Sequence, residues 1–240
     1  MAKSGIHFHF KKFSVQHDRC TMKVGTDGVL LGAWVNVAHA KSILDIGTGS
    51  GVIALMLAQR TQEHVTIDAV EIEVGDAEQA RENVAHSPWS EKVVVHSSSI
   101  QDFHPGKQYD LLVSNPPYFS NSWEPPDQRR HQTRHTITLP YPELLTAATR
   151  LLSPDGKFSV ILPYAEGLHF IDLALASGLH CTRQWSFRTR PDKPIERWLL
   201  EFSRLNAVRK ENEIQLYREK AGEEWSAQYI ELTRDFYLKI

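Results

Sequence analysis

Ser42-Ile-Leu-Asp-Ile46 runs directly into Gly47-Thr-Gly-Ser-Gly51, and a helical pattern from Val52 to Gln59 follows at once. A short apolar strand, a glycine turn and a helix in immediate succession make a strand-turn-helix unit, and few folds accommodate one. The turn lets backbone approach a ligand closely at the carboxyl end of a strand, where open α/β sheets bind their ligands.

The rest of the chain repeats the alternation. Val65–Val70 reads as a strand, 74–85 as a helix and Lys92–His96 as a strand. Asp110–Ser114 is a strand stopped by Asn115-Pro116-Pro117-Tyr118, because neither proline can donate to a ladder. A helix over Tyr141–Leu152, a turn at Ser153-Pro-Asp-Gly156, a strand over Lys157–Leu162 and a helix over Ala165–Ser177 come next. His180–Phe187 and Ile195–Phe202 then follow each other with no helix between them, so they form an antiparallel pair. The expectation is an α/β, Rossmann-like sheet of seven strands, mostly parallel, with a final antiparallel pair. An appended strand near Glu213–Tyr217 and a helix ending in Asp235-Phe-Tyr-Leu238 are expected to pack on it. A single domain is expected overall: an arm and first helix over 1–35, a core over 36–204 and an extension over 205–240.

The glycine spacing decides between ligands. A dinucleotide fingerprint would place its third glycine at 52, which is Val52. Here it falls at Gly51, and Asp45 precedes the loop, a pattern that suits S-adenosylmethionine better than a nicotinamide dinucleotide. Glu71 ends the second strand about 20 residues further on, where one carboxylate can accept both hydroxyl protons of a ribose. Thr26 or Asp27 is placed to cap the helix that begins in Val24-Gly-Thr-Asp-Gly28, and a helix start offers unpaired amides to an anion. Asn115 to Tyr118 put an amide, a stiff carbonyl run and an aromatic ring at the end of a strand, a platform for a planar amine or amide.

The chain has 240 residues and a net charge of −2, so no global basic field announces a nucleic acid. Local basic segments exist nonetheless. Lys11, Lys12 and Lys23 are interleaved with Phe8, Phe10 and Phe13, which either pack on the domain or stack on bases. Phe119 opens a long polar stretch that carries Arg129, Arg130, His131, Arg134 and His135, and Arg188 and Arg190 stand in a proline-stiffened loop. Two cysteines far apart, no apolar run of membrane length and no signal-peptide core point to a cytoplasmic protein. The histidines show no metal spacing, and no metal or obligate protein partner is expected.

Asp45 to Gly51, Glu71 and Asn115 to Tyr118 together resemble the class I S-adenosylmethionine-dependent methyltransferases that act on planar amides or exocyclic amines. Met22-Lys-Val-Gly-Thr-Asp-Gly-Val-Leu-Leu-Gly-Ala-Trp34, Asn115 to Phe119, Arg134-His135 and Leu232-Thr-Arg-Asp-Phe-Tyr-Leu238 narrow this. They are similar to segments of the bacterial tRNA(Val) adenine-N6 methyltransferases. The resemblance implies methylation of the adenine beside the anticodon, at position 37. It implies cofactor contacts from Thr26, Asp45, Gly47, Gly49, Gly51, Glu71, Ile72, Ser99, Ile100 and Asn115, and catalysis by Asn115, Pro116 and Tyr118. Ser99 stands where an acid is commonest in the adenine-framing loop. The anticodon loop of the tRNA would meet Lys11, Lys12, Lys23, Phe119, Arg129, Arg130, Arg134, His135, Arg188 and Arg190. Glutamine methylation on a release factor uses a similar platform, but a chain of that kind usually carries an N-terminal helical domain, where this one has a short basic arm. A non-catalytic RNA-binding module on the same scaffold would not need the intact Asp45, Gly47, Gly49, Glu71 and Asn115 set.

If the Arg-rich stretch clamps phosphates, a combined Arg129→Ala, Arg130→Ala and Arg134→Ala change weakens RNA binding and flattens its salt dependence. Filter binding over a salt series measures this, and an unchanged slope returns the stretch to a solvated surface.

Overall fold

The computed structural model describes residues 6–117, 139–222 and 224–239. In chain order the elements are β1 (His7–His9), β2 (Ser14–Gln16), α1 (Thr26–Trp34), β3 (Ser42–Ile46), α2 (Val52–Arg60), β4 (Thr66–Glu71), α3 (Val74–Ala85), β5 (Val93–Ser97), β6 (Tyr109–Ser114), α4 (Tyr141–Leu151), β7 (Leu152–Pro163), α5 (Tyr164–Ala176), β8 (His180–Arg188), β9 (Arg197–Ser203), β10 (Lys210–Gln215) and α6 (Ala227–Thr233). Among the described residues one sheet has the order β10-β8-β9-β7-β6-β3-β4-β5. β7, β6, β3, β4 and β5 are parallel, and β9 runs antiparallel between β7 and β8. The appended strand β10 joins the edge parallel to β8, so the sheet has eight strands where seven were expected from the core alone.

β3 sits at the centre because it can be buried on both faces. Ile43 enters one hydrophobic core with α1 and α2, while Leu44 and Ile46 enter the other with α4 and α5. Parallel strands covered on both faces read as continuous apolar runs for this reason. α1 crosses α2 through two glycines. A methyl group on Gly28 would lie 3.5 Å from Val52, and one on Gly32 only 2.8 Å from the sulfur of Met56.

Three local expectations are revised. Thr26 and Asp27 do not cap α1. Gly25 stands at the cap with no side-chain bond, and Asp27 instead pairs with Arg197 at 2.8 Å. The turn at Ser153–Gly156 does not separate helix from strand. The four residues are absorbed as a register shift in β7, between the pairs Tyr109–Leu152 and Leu111–Lys157. The last helix stops at Thr233, which leaves Phe236 free to be buried and Tyr237 to bridge to Phe10.

The aromatic N-terminal residues pack on the domain. β1 and β2 form a hairpin, Phe10 and Phe13 stack with centroids 4.5 Å apart, and both are buried. Asn83 on α3 secures the hairpin. Its Oδ1 accepts from the Gln16 N–H at 2.8 Å, while its Nδ2 donates to the Gln16 and Ser50 carbonyls, each at 2.8 Å.

Phe158 is fully buried in β7 against Phe170 and Phe202. Phe158→Ala removes that contact and leaves a cavity, with an expected loss of about 3–5 kcal/mol. Urea denaturation measures it, and a loss under about 1 kcal/mol would mean that the site collapses around the smaller side chain.

Candidate active site

The glycine turn links β3 to α2 with Gly47, Gly49 and Gly51 all in the left-handed region, at φ of 72°, 53° and 82°. Gly51 packs on α3, where a methyl group would lie 3.4 Å from the Ala80 side chain. Gly47 and Gly49 face open space, with nothing within 4 Å of where a Cβ would stand. The loop therefore presents bare backbone towards the carboxyl end of the sheet.

Glu71 holds that backbone in place. Its Oε2 accepts from the Gly49 N–H at 2.8 Å, and its Oε1 accepts from the N–H groups of Ile72 at 2.9 Å and Glu73 at 3.0 Å. Burial raises its carboxyl above the usual range against these bonds, and the charge of Asp76 raises it further. Asp45 is fully buried at the end of β3. Its Oδ2 accepts from the Thr48 hydroxyl at 2.6 Å, whereas its Oδ1 is buried with no partner. Burial pushes Asp45 up to about 7, opposed by the Thr48 hydroxyl and by the nearby Ala54 backbone N–H and reinforced by the charge of Glu71. Two buried acids and an open glycine cradle suit a cationic ligand that also carries hydroxyl donors.

The amide platform leaves the neighbouring strand. β6 pairs with β3 through Ser114–Ile46, and the Ser114 hydroxyl donates to the Ile46 carbonyl at 2.8 Å. Asn115 follows immediately, with its Oδ1 buried and without a partner. Pro116 is buried and Pro117 exposed. Tyr118, Phe119, Arg129, Arg130, Arg134 and His135 lie outside the described residues.

The remaining expected contacts divide. Thr26 starts α1 beside the glycine loop, because Gly28 packs on Val52 at the start of α2. Ile72 is partly exposed next to Glu71, and Ile100 is buried in the core with Phe103. Ser99 accepts the Asp102 N–H at 3.1 Å and donates its hydroxyl to Asp102 Oδ2 at 2.7 Å. Asp102 thus brings a carboxylate to the loop position where Ser99 lacks one, a residue that spacing alone did not pick out. Lys12 and Lys23 are exposed, but the Lys11 ammonium donates to the Arg234 carbonyl at 2.6 Å. Arg188 pairs with Glu213 at 2.6 Å, and Arg190 donates to the Lys220 carbonyl at 3.3 Å. The opening segment before α1 is tied down by buried Asp76, which accepts from the Thr21 N–H at 3.0 Å, another contact between residues distant in sequence.

A cleft of about 690 Å³ opens over the β4–β5 edge, lined by Asp68, His96, Asp102 and Lys107 among others. Burial would raise the Asp68 carboxyl, but bonds from Lys107, His96 and Tyr109 outweigh it and hold the group below its usual range. Among the described residues no cluster of acids, histidines and cysteines could hold a metal ion, and no helix is long and apolar enough to cross a membrane.

An open sheet in this order, with a glycine loop after its central strand and an amide ending the adjacent one, is the class I methyltransferase fold. Residues 20–171 match the methyltransferase small domain. A predicted O-methyltransferase from Agrobacterium tumefaciens shares the fold, with a TM-score of 0.64 at 17% identity over 88% of this chain and 96% of that one. The tRNA1(Val) (adenine(37)-N6)-methyltransferase of Yersinia pestis (strain Pestoides F) is 47% identical over 237 residues, 98% of this chain and 94% of the relative. The protein of that name from Yersinia pseudotuberculosis serotype O:1b (strain IP 31758) matches to the same extent. The chain belongs to the tRNA1(Val) (adenine(37)-N6)-methyltransferase family.

Asp45 supplies a pH test. Its folded value of about 7 lies above the ordinary 3.8, so between about pH 4 and pH 7 the folded chain keeps a proton that the unfolded chain has lost. Stability of the unliganded protein is therefore greatest at the acid end of that window for this group, and falls as pH rises through it. Asp45→Asn removes the titration. Denaturation at both ends of the window is expected to show a steeper loss in the wild type, and parallel losses would refute the assignment.

Proposed function

We propose that the protein transfers the methyl group of S-adenosylmethionine to N6 of adenine 37 in tRNA1(Val). The identity to relatives of that activity extends over nearly the whole chain, which supports the substrate as well as the fold. The observation that carries the chemistry is the buried, unpartnered Asn115 Oδ1, set one strand away from Asp45 and the glycine loop.

Bound there, S-adenosylmethionine supplies an activated methyl group on a positively charged sulfur. Asp45 and Glu71 would hold its polar groups, with Thr26, Ile72, Ser99 and Ile100 around it and Asp102 acting through Ser99. A cation is favoured by two acids that are themselves costly to ionise in isolation. The amino nitrogen of adenine is a weak nucleophile because its lone pair is delocalised into the ring. Asn115 Oδ1 would accept a hydrogen bond from one amino N–H and the Pro116 carbonyl a hydrogen bond from the other, which favours a pyramidal nitrogen with its lone pair free. Pro117 fixes the Pro116 carbonyl by restricting the backbone that follows it. Tyr118 stacks on the base. The rate then comes from alignment and from preorganised acceptors. The adenine leaves its stack at a small cost, because an anticodon loop is single-stranded.

Asn115→Ala is expected to abolish methyl transfer to tRNA and to leave cofactor affinity largely unchanged. Labelled S-adenosylmethionine and titration calorimetry read the two quantities separately. Turnover at the wild-type rate would sink the mechanism, and label on protein in place of adenine would sink the substrate.

A further inference from the structure

β7 outruns its parallel neighbour. Ser114, the last residue of β6, pairs with Val160, but β7 continues to Pro163 and hands over to Tyr164. Tyr164 and the Asn115-Pro116 platform therefore leave the same end of adjacent strands, with Tyr164 carried three residues further out, roughly 10 Å along the strand direction. Tyr164 is 44% exposed, unusual for a ring at a strand end in this sheet. It is not loose. Its N–H donates to the Glu196 carbonyl at 3.2 Å, and its ring stacks on Trp198 with centroids 5.7 Å apart and planes 28° apart.

The seat for Trp198 is built at a cost. Gly167 lies inside α5, where glycine weakens a helix. A methyl group there would stand 2.7 Å from Trp198 Cδ1 and 3.1 Å from its Cβ, so the glycine makes room for the indole. No hydrogen bond explains where the indole sits, because its Nε1 is buried without a partner. What the arrangement provides is a flat support under an exposed tyrosine. The loop beside it, whose Glu196 anchors Tyr164, carries the exposed Lys193.

We propose that Tyr164, backed by Trp198, is a second stacking platform that takes an unpaired base next to the target adenine. This rests on the RNA-methyltransferase reading above. A flat aromatic face near cationic side chains is how proteins hold single-stranded nucleic acid. One extruded adenine at Asn115 leaves its neighbours unstacked, and Tyr164 offers one of them a partner.

The test uses the full chain, S-adenosylmethionine and an anticodon stem-loop with 2-aminopurine placed in turn on each side of the target adenine. The wild type is expected to quench the probe at one of the two positions, and Tyr164→Phe to quench it equally. Tyr164→Ala loses the quenching and raises the KM for RNA about tenfold, with cofactor affinity unchanged. Tyr164→Leu, which retains packing on Trp198 without an aromatic face, behaves as Tyr164→Ala. Retained quenching and an unchanged KM in the Ala and Leu variants overturn the proposal. A wild type that fails to methylate the RNA defeats the proposed function instead, and the quenching titration still decides the platform.

Discussion

The site depends on one carboxylate. Glu71 ends β4 and gathers three backbone N–H groups, one from the glycine loop after β3 and two from the start of the segment leading into α3. Hydrogen bonds to a charged acceptor contribute about 1.5–3 kcal/mol each, and loss of the acceptor leaves buried donors unmet. The loop is therefore fixed before any ligand arrives. The same logic extends outward through Asn83, which joins the Ser50 carbonyl in that loop to the N-terminal hairpin. Asp76 then ties the opening segment to the helix that begins next to Glu71. The glycine loop, the hairpin and the segment before α1 are thus tied to α3 and Glu71 in one hydrogen-bonded assembly around a strand end.

What could be read in the sequence follows from how local the cause is. The strand at Ser42–Ile46 is legible as a short continuous apolar run, because it is buried on both faces, and the helix at Val74–Ala85 because its burial recurs every three to four residues. The glycine turn was visible because three left-handed positions in five residues leave few other residue types. Capping of α1 misled, because Thr26 and Asp27 carry the right side chains but Asp27 has a better partner. Arg197 lies 170 residues away, and no local signal announces it. The Ser-Pro-Asp-Gly turn misled for a related reason. Its turn chemistry is real, but β7 begins on Leu152, before it, and takes it in as a bulge. Asp102 escaped notice because its relevance depends on the Ser99 hydroxyl folding back three residues.

The N-terminal aromatics show how burial settles an ambiguity that composition leaves open. Phe10 and Phe13 could have been stacking groups for bases. In the fold they are among the buried residues, and the C-terminal Tyr237 reaches back to Phe10. Lys11, at the surface between them, donates its ammonium to the Arg234 carbonyl at the end of α6. Arg188 and Arg190 are spent in a similar way on Glu213 and the Lys220 carbonyl. Cations that look alike in sequence are thereby sorted into those that hold the structure and those, such as Lys12 and Lys23, that remain at the surface.

A net charge of −2 hides a separation that the proposed reaction requires. The cofactor is a cation at its reacting atom and the RNA is a polyanion, so one uniform field could not favour both. The acids that face the glycine loop, Asp45 and Glu71, are buried, and Asp76 is buried behind them. Charges in a low-dielectric setting act strongly at short range. The exposed lysines lie in solvent, where their attraction for phosphates extends only about 8–10 Å at ordinary salt. In the proposed reaction the buried acids would act on the cofactor at short range, while exposed cations would act on the RNA. In that scheme Asn115, whose Oδ1 is buried without a partner, would serve as a neutral acceptor. An acid in its place would bind the amino protons more strongly, but it would also repel the approaching phosphates and pair with the sulfonium. A neutral amide carbonyl can polarise the nucleophile without competing for either charge.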